Sequence, residues 1–287
     1  MSRMAHLCGL KSPDCGRLGP VTGFLIVNPR AGGAKRTDEL TAEARSRGID
    51  VHLLEPGEDA AELARAADAD ALGMAGGDGS LAAIAEVAVE RDLPFVCIPL
   101  GTRNHFARDI GLDRDDPLGA LAAFDRGEER RIDVGRANGR PFLNNVSLGL
   151  YARLVHRRES HRRRSNAFAR LRAFAIVVRH RKAVGIAIDG RVVQTRVVLV
   201  SNNAYDLDLL SVGERESIDA GLLHLYVPRG LMRHGWLERE GERFEVDAPS
   251  HRLHAAFDGD PEVLETPIEF TIDRAALRVL TPARPLA

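Results

Sequence analysis

The chain has 287 residues, of which 44% are hydrophobic and 28% charged, with a formal net charge of -1. This composition is ordinary for a globular protein, and the length suits one large domain or two modest ones. Three cysteines, an odd and sparse set, argue against a disulfide framework and for a reducing compartment. No segment approaches the ~18 apolar residues of a membrane span.

The first 20 residues lack the apolar segment of a signal peptide, so we expect a loose N-terminal extension over 1–20. We therefore expect a cytoplasmic protein, which can also lie at the inner face of the membrane. From residue 21 to about 135, short apolar runs alternate with segments of helical periodicity, as expected for a parallel sheet covered on both faces. In chain order these segments are "GFLIVNP", "TDELTAEARSRG", "IDVHLLEP", "EDAAELARAADA", "ALGMAGG", "SLAAIAEVAVER" and "PFVCIPL". In the first helix, Thr37 is a candidate N-cap and Gly48 a candidate C-terminal stop.

Positive charge is concentrated in residues 153–182, which hold ten arginines and one lysine against one glutamate. We predict a helix over about 151–182 with an apolar stripe that includes Phe168, Leu171 and Phe174. Two interpretations stay open: the stripe packs in the core below a solvated arginine face, or the segment docks on anionic lipid. Aromatic residues suited to base stacking are few, so no nucleic acid partner is expected.

After this segment, predicted strands follow one another without helices. The pairs "ANGR" and "DGR" mark tight turns between extended pieces. We infer a β-rich, sandwich-like domain over 136–275, followed by a C-terminal tail, 276–287, that can return to the first domain. The predicted fold class is therefore an α/β domain followed by a β domain.

Three predicted strands of the first domain end in glycine and small polar residues. The turns are "VNPRAGG" at 27–33, "AGGDGS" at 75–80 and "IPLGTRNHFAR" at 98–108. In a parallel sheet, ligands bind beyond the carboxyl ends of the strands, and glycine lets the backbone approach a phosphate. The Asp78 carboxylate repels bare phosphate, so a role in the site requires a cation or a ribose hydroxyl between Asp78 and the ligand. The alternative is that Asp78 caps the following helix. Three such turns on one sheet edge indicate a nucleotide site.

The order of the motifs resembles the diacylglycerol kinase catalytic-domain family, which includes bacterial diacylglycerol kinase-like proteins and sphingosine kinases. The matching segments are "NPRAG", "GGDGS", "PLGTRNHFAR", "RIDVGR", "FLNNVSLG" and "FDGD". The resemblance covers roughly residues 23–275. It implies an NAD-kinase-like α/β domain followed by a β-rich domain, with the active site between them.

Carried over by position, the resemblance implies a site for ATP and Mg²⁺. The expected nucleotide-binding residues are Asn28, Pro29, Arg30, Ala31, Gly32, Gly76, Gly77, Asp78, Gly79, Ser80, Gly101, Thr102 and Asn104. The expected catalytic carboxylates are Asp78, Asp258 and Asp260, the last two being candidates for accepting the proton of an alcohol. Because Asp258 and Asp260 are two residues apart, we expect them to face one way from an extended segment. The alternative is an exposed Asp-Gly hairpin turn.

The sequence departs from the family pattern at several positions. Asp260 stands for the family's Glu, Ser80 for Thr, Ala31 for Ser, and Leu54 for a Thr that often follows the second strand. The family's structural Mg²⁺ site has an Asp where this chain has Ala220. Ser217, Asp219 and Leu222 are the remaining candidate metal ligands.

The leading hypothesis is an ATP- and Mg²⁺-dependent kinase that phosphorylates a diacylglycerol-like lipid at an anionic membrane surface. NAD kinase is the enzymatic alternative because it shares the Gly-Gly-Asp-Gly loop, but "FLNNVSLG" has Asn144-Asn145 without the Glu of that family. A non-catalytic nucleotide-binding regulator at the membrane is the third hypothesis, prompted by the altered metal segment and Asp260. The sequence does not indicate an oligomeric state.

Overall fold

A computed structural model describes residues 22–101, 104–149, 184–208, 211–215, 217–228 and 236–283. The predicted N-terminal extension and the predicted arginine-rich helix lie outside these residues. Among the described helices, none combines the length and apolar character needed to cross a bilayer.

The first part of the chain alternates strands and helices, as the sequence predicts. Its elements are β1 (Gly23–Val27), α1 (Pro29–Gly32), α2 (Ala34–Ser46), β2 (Asp50–Leu53), α3 (Ala60–Ala66), β3 (Ala71–Gly76), α4 (Asp78–Glu90), β4 (Phe95–Pro99), α5 (His105–Asp109), α6 (Pro117–Ala120) and α7 (Ala122–Asp125). The strands pair in parallel in the order β2-β1-β3-β4. Their carboxyl ends therefore meet at one edge of the sheet.

The described residues from 127 to 283 are almost entirely extended. Their strands are β5 (Gly127–Ala137), β6 (Arg140–Phe142), β7 (Asn145–Gly149), β8 (Val184–Ile188), β9 (Arg191–Thr195), β10 (Val197–Asn202), β11 (Tyr205–Asp208), β12 (Ser211–Arg215), β13 (Leu223–Pro228), β14 (Trp236–Gly241), β15 (Arg243–Asp247), β16 (Arg252–Phe257), β17 (Asp260–Glu265) and β18 (Ile268–Pro282). Antiparallel pairing gives a second sheet in the order β14-β13-β10-β7-β16-β17. The predicted fold class, α/β followed by β, is confirmed.

The long strand β18 joins the two parts of the chain. Near its start it pairs with β15, and near its end Val279 and Leu280 pair in parallel with β4. Within the described residues, the first sheet therefore continues from β4 through β18, β15 and β8 to β9, with β5 and β6 attached to β18. The α/β sheet and part of the β-rich region form one hydrogen-bonded surface.

Alternate residues of the parallel strands enter different cores. Ile26 and Met74 belong to the core cluster that includes α4, whereas Leu25 and Ala75 belong to the cluster against α7. Strands buried on both faces explain the unbroken apolar runs of the sequence. A third cluster lies between the two sheets and combines apolar residues of β5, β6, β8, β15 and β18 with those of the second sheet. This inter-sheet core accounts for the predicted sandwich character.

Two local predictions meet different outcomes. The Asn138-Gly139 and Asp189-Gly190 pairs have positive φ angles and form the two-residue turns of the β5–β6 and β8–β9 hairpins. The prediction that Thr37 is the N-cap of α2 is wrong, because that helix begins at Ala34. The Thr37 hydroxyl instead donates back to the Gly33 carbonyl within the first turn.

Candidate functional site

The three glycine turns contact one another at the carboxyl edge of the first sheet. The Asn28 side-chain amide donates to the Ser80 hydroxyl over 3.3 Å, which joins the turn after β1 to the turn after β3. The backbone N–H groups of Leu100 and Gly101 both donate to the Gly76 carbonyl, which joins the turns after β3 and β4. The structure thus brings the predicted segments together as one continuous edge.

Glycine is required at two of these contacts because backbone and core atoms fill the space of a side chain. A Cβ added at Gly101 would lie 2.6 Å from the Cα of Gly77. One added at Gly32 would lie 2.5 Å from the Cγ of Leu100. Both distances are far below normal contact, so the glycines hold the three turns in close packing.

The predicted nucleotide-binding residues occupy short helices and turns along this edge. Asn28 caps α1, where its side-chain oxygen accepts the Arg30 N–H, and α1 contains Pro29, Arg30, Ala31 and Gly32. Asn104 is in the left-handed region with φ of 45°, and its side-chain amide donates to the Gly101 carbonyl. Thr102 lies outside the described residues.

Asp78, in the first turn of α4, fixes the neighbouring helix α5. Its two carboxylate oxygens accept the backbone N–H groups of His105 and Phe106 at 3.1 and 3.0 Å. The first N–H groups of a helix have no partner within that helix, and a carboxylate there also complements the helix dipole. Asp78 therefore fixes α5 against the glycine loop.

Asp258 and Asp260 flank Gly259 in a tight turn, so the expectation that they face one way from an extended segment is wrong. Asp258 and Gly259 both have positive φ angles and connect β16 to β17 as a two-residue loop. The hairpin was the alternative from sequence, and it was expected to be exposed. Asp260 is exposed as that alternative expects, whereas Asp258 is half-buried.

Asp258 holds the chain segment that precedes β7. One carboxylate oxygen accepts the Leu143 N–H, and the other accepts the N–H groups of Asn144 and Asn145, all within 2.9 Å. Burial raises the pKa of Asp258 to about 6; the three amide hydrogen bonds oppose this shift, and the negative charge of Asp78 adds to it. Asp258 is thus a rigid anchor for the turn that carries Asp260.

Asp260 lies directly against the glycine loop. A Cβ added at Gly79 would overlap the carboxylate of Asp260, with the nearest atoms being its two oxygens and Cγ. Gly79 belongs to the first turn of α4, and the N-terminus of a helix carries partial positive charge that favours an anion. A carboxylate from the second sheet and a helix N-terminus from the first therefore meet at one point.

The candidate residues of the Mg²⁺ segment already bond to other groups of the protein. The carboxylate of Asp219 accepts the Ser217 hydroxyl at 2.6 Å and forms an ion pair with Arg130 at 2.9 Å. The Leu222 carbonyl accepts the backbone N–H of Asn203. Within the described residues, no three His, Cys, Asp or Glu side chains are grouped as metal ligands. An arginine supplies the positive charge that Asp219 needs.

Sequence reasoning missed a buried ion pair beside the site. The Nε of Arg215 donates to Asp109 at 2.7 Å, and both side chains are 1% exposed. Neither residue belongs to a recognisable motif, and they lie 106 positions apart. No local signal in the sequence indicates this pairing.

Comparison with known proteins identifies the class. Residues 22–137 match the diacylglycerol kinase catalytic domain. A diacylglycerol kinase of Mycobacterium tuberculosis (strain H37Rv) is 35% identical over 127 residues, which are 42% of this chain and 40% of that protein. A Pseudomonas aeruginosa PAO1 protein named "Probable lipid kinase YegS-like" is 31% identical over 139 residues, which are 46% of this chain and 45% of that protein. The matches span less than half the length of these relatives.

The fold similarity extends over nearly the whole chain. A crystal structure of a diacylglycerol kinase from Bacillus anthracis str. Sterne superposes with a TM-score of 0.65 at 20% identity, covering 91% of this chain and 96% of that one. The resemblance inferred from the motifs is confirmed: residues 22–137 belong to the diacylglycerol kinase catalytic domain family.

The contact between Gly79 and Asp260 predicts energetic coupling between the two positions. Gly79→Ala should destabilise the protein because the new methyl group displaces the Asp260 carboxylate. In an Asp260→Ala background the same change should be neutral or stabilising, since Ala favours a helix. We expect a coupling of at least about 0.5 kcal/mol in a double-mutant cycle measured by urea unfolding.

The control is the matched cycle with Gly77→Ala. It should show no coupling, because the added Cβ at Gly77 meets nothing closer than 3.8 Å. Equal coupling in both cycles would contradict the contact.

The raised pKa of Asp258 predicts a specific pH dependence of stability. The pKa of Asp258 is about 6 in the folded protein, which is higher than in the unfolded chain. Its contribution to the free energy of unfolding is therefore complete below about pH 4 and is lost as the pH rises through 6. Asp258→Asn has no titrating group, so it should cost about 1 kcal/mol more at pH 5 than at pH 7.5. Urea unfolding of both proteins at the two pH values measures this, with exposed Asp50→Asn as control. A cost that is larger at pH 7.5 would refute the assignment.

Proposed function

We propose that the chain is an ATP-dependent lipid kinase that transfers the γ-phosphate to the hydroxyl of a diacylglycerol-like lipid. The contact of Asp260 with Gly79 carries the proposal, because it brings a carboxylate to a glycine loop at a helix N-terminus. The family of residues 22–137 and the names of its relatives support the same chemistry.

The three joined turns are the proposed ATP site. The N–H groups at the start of α4 would face the phosphates, and the close packing of Gly32, Gly77 and Gly101 leaves the backbone bare of side chains. Asn28 and Ser80, already hydrogen-bonded to each other, would hold the turns in place. In this proposal Asp78 positions α5 and the preceding turn through its two backbone contacts.

Asp260 is the proposed proton acceptor. The lipid hydroxyl oxygen forms a bond to the γ-phosphorus while its proton moves to the Asp260 carboxylate. The bond from that phosphorus to the bridging oxygen breaks, and ADP leaves. An Asp is one methylene shorter than the family's Glu, and the tight turn compensates because it holds the shorter side chain against Gly79.

Mg²⁺ would enter with ATP and neutralise the charge of its phosphates. The proposal gives no second, structural ion to Ser217, Asp219 and Leu222, whose oxygens bond within the protein. The lipid would be reached at an anionic membrane surface on the inner face, to which the arginines of residues 153–182 would be attracted.

A kinase assay with Asp260→Asn tests the proposal. The protein is incubated with labelled ATP, Mg²⁺ and either NAD or a panel of lipids in anionic and in neutral vesicles. We expect labelled phospholipid from the wild type, favoured by anionic vesicles. In Asp260→Asn we expect kcat to fall at least about 100-fold, the usual contribution of a proton acceptor. ATP affinity measured by calorimetry should change little.

Glu265→Gln is the matched control, since Glu265 lies on the same strand with its side chain 80% exposed. It should retain full activity. Labelled NADP would overturn the lipid proposal in favour of NAD kinase. Bound ATP without any product would favour a regulator, and wild-type turnover by Asp260→Asn would remove Asp260 from the mechanism.

A further inference from the structure

The buried guanidinium of Arg215 connects elements that the sequence leaves far apart. Its Nε donates to Asp109, the last residue of α5, and its two terminal nitrogens donate to the carbonyls of Leu143 and Asn202 and to the side-chain oxygen of Asn144. The contacts are 2.7 to 3.1 Å long. A planar guanidinium with fixed donors sets the relative position of every group that it binds.

The same segment that Arg215 holds through its carbonyl and side-chain oxygens is held by Asp258 through its N–H groups. Leu143 donates its N–H to Asp258 and accepts from Arg215, and Asn144 does likewise through its N–H and its side chain. The turn bearing Asp260 is therefore fixed to the Leu143–Asn145 segment, and this segment is fixed to Arg215.

Helix α5 connects Arg215 to the glycine loop. Arg215 binds Asp109 at the end of α5, and Asp78 binds the first N–H groups of the same helix. Asp78 is adjacent to Gly79, against which Asp260 lies. The contacts thus form a closed circuit that runs from the glycine loop through α5, Arg215 and Asp258 back to Asp260.

We propose that the Arg215–Asp109 pair is the positioning device that sets the Asp260 carboxylate over the glycine loop. The pair links α5 to the Leu143–Asn145 segment, and Asp258 links that segment to the turn of the second sheet. Arg215 and Asp109 touch no reacting atom, so they act through Asp258 and α5. The proposal concerns the site assigned above and rests on its proposed function for its kinetic consequences, but its structural consequence is independent of activity.

The structural consequence is measured by amide hydrogen exchange on Arg215→Met. We expect exchange at Leu143, Asn144 and Asn145 to accelerate at least tenfold, while the amides of β1 and β3 keep their wild-type protection. Unchanged exchange at Leu143–Asn145 would overturn the proposal. Amide exchange tests the positioning proposal independently of activity. A wild type that transfers no phosphate would refute the kinase assignment but would leave the exchange result valid.

The kinetic consequence is a split between kcat and KM. In Arg215→Met we expect kcat to fall tenfold or more, with KM for ATP within threefold, because the glycine turns stay joined without Arg215. Arg215→Lys keeps the charge but not the fork of donors, so it should recover kcat in part. Arg239→Met is the matched control. Arg215 pairs with Asp109 and lies over the ring of Tyr205, and Arg239 likewise pairs with Asp189 and lies over the ring of Phe244. It should keep wild-type kcat.

A double variant separates positioning from simple loss of stability. Asp109 also forms an ion pair with Arg108 at 2.7 Å, so Arg215→Met leaves its buried carboxylate only partly compensated. Replacing both members of a buried pair with apolar residues is often neutral for stability. Asp109→Leu combined with Arg215→Met should therefore regain thermal stability lost in Arg215→Met, while kcat stays low. Recovery of kcat together with stability would show that the pair serves the fold alone and would overturn the proposal.

Discussion

The carboxylate of Asp260 lies against the backbone of Gly79, and the arrangement of the site depends on this contact. A side chain at position 79 would displace the carboxylate from its place beside the loop. The contact brings a carboxylate to the N-terminal end of α4, where N–H groups favour an anion. Neither sheet alone contains both the carboxylate and the glycine loop.

Three aspartates near the site accept hydrogen bonds from backbone N–H groups and so fix the backbone around it. Asp78 holds the start of α5, and Asp258 holds the segment before β7. Asp133 accepts the N–H groups of Gly221 and Ala275, which joins the inner strand β5 to β18 and to the loop before β13. Each carboxylate satisfies several buried donors that would otherwise be costly to leave unpaired. These hydrogen bonds fix the backbone around the Gly76–Ser80 loop, which contains three glycines.

The sequence predicts much of this frame because its signals are local. Apolar runs separated by helical periodicity predicted the parallel strands, and Asn138-Gly139 and Asp189-Gly190 predicted hairpins, since each signal depends on neighbours in the chain. The convergence of the three glycine turns followed from the rule that parallel strands end at one edge. The N-cap prediction for Thr37 was wrong because a threonine hydroxyl can either cap a helix or hydrogen-bond to a carbonyl within its first turn. The sequence does not distinguish these two arrangements.

The remaining features could not be predicted because they join distant parts of the chain. The pairing of Arg215 with Asp109, the binding of Leu143 by the Asp258 carboxylate and the ion pair of Arg130 with Asp219 all depend on tertiary packing. The turn between β16 and β17 illustrates the limit: the Asp-Gly pair indicated a hairpin, but only the fold shows that one carboxylate anchors the turn and the next faces Gly79.

A crystal structure with a non-hydrolysable ATP analogue and Mg²⁺ would show whether Asp260 faces the γ-phosphate. We expect the γ-phosphate against the Gly77–Ser80 loop, with the Asp260 carboxylate about 6 Å from the γ-phosphorus, which leaves room for one hydroxyl between them. An analogue bound away from the three turns, or an Asp260 carboxylate too far away for one hydroxyl to bridge, would contradict this expectation.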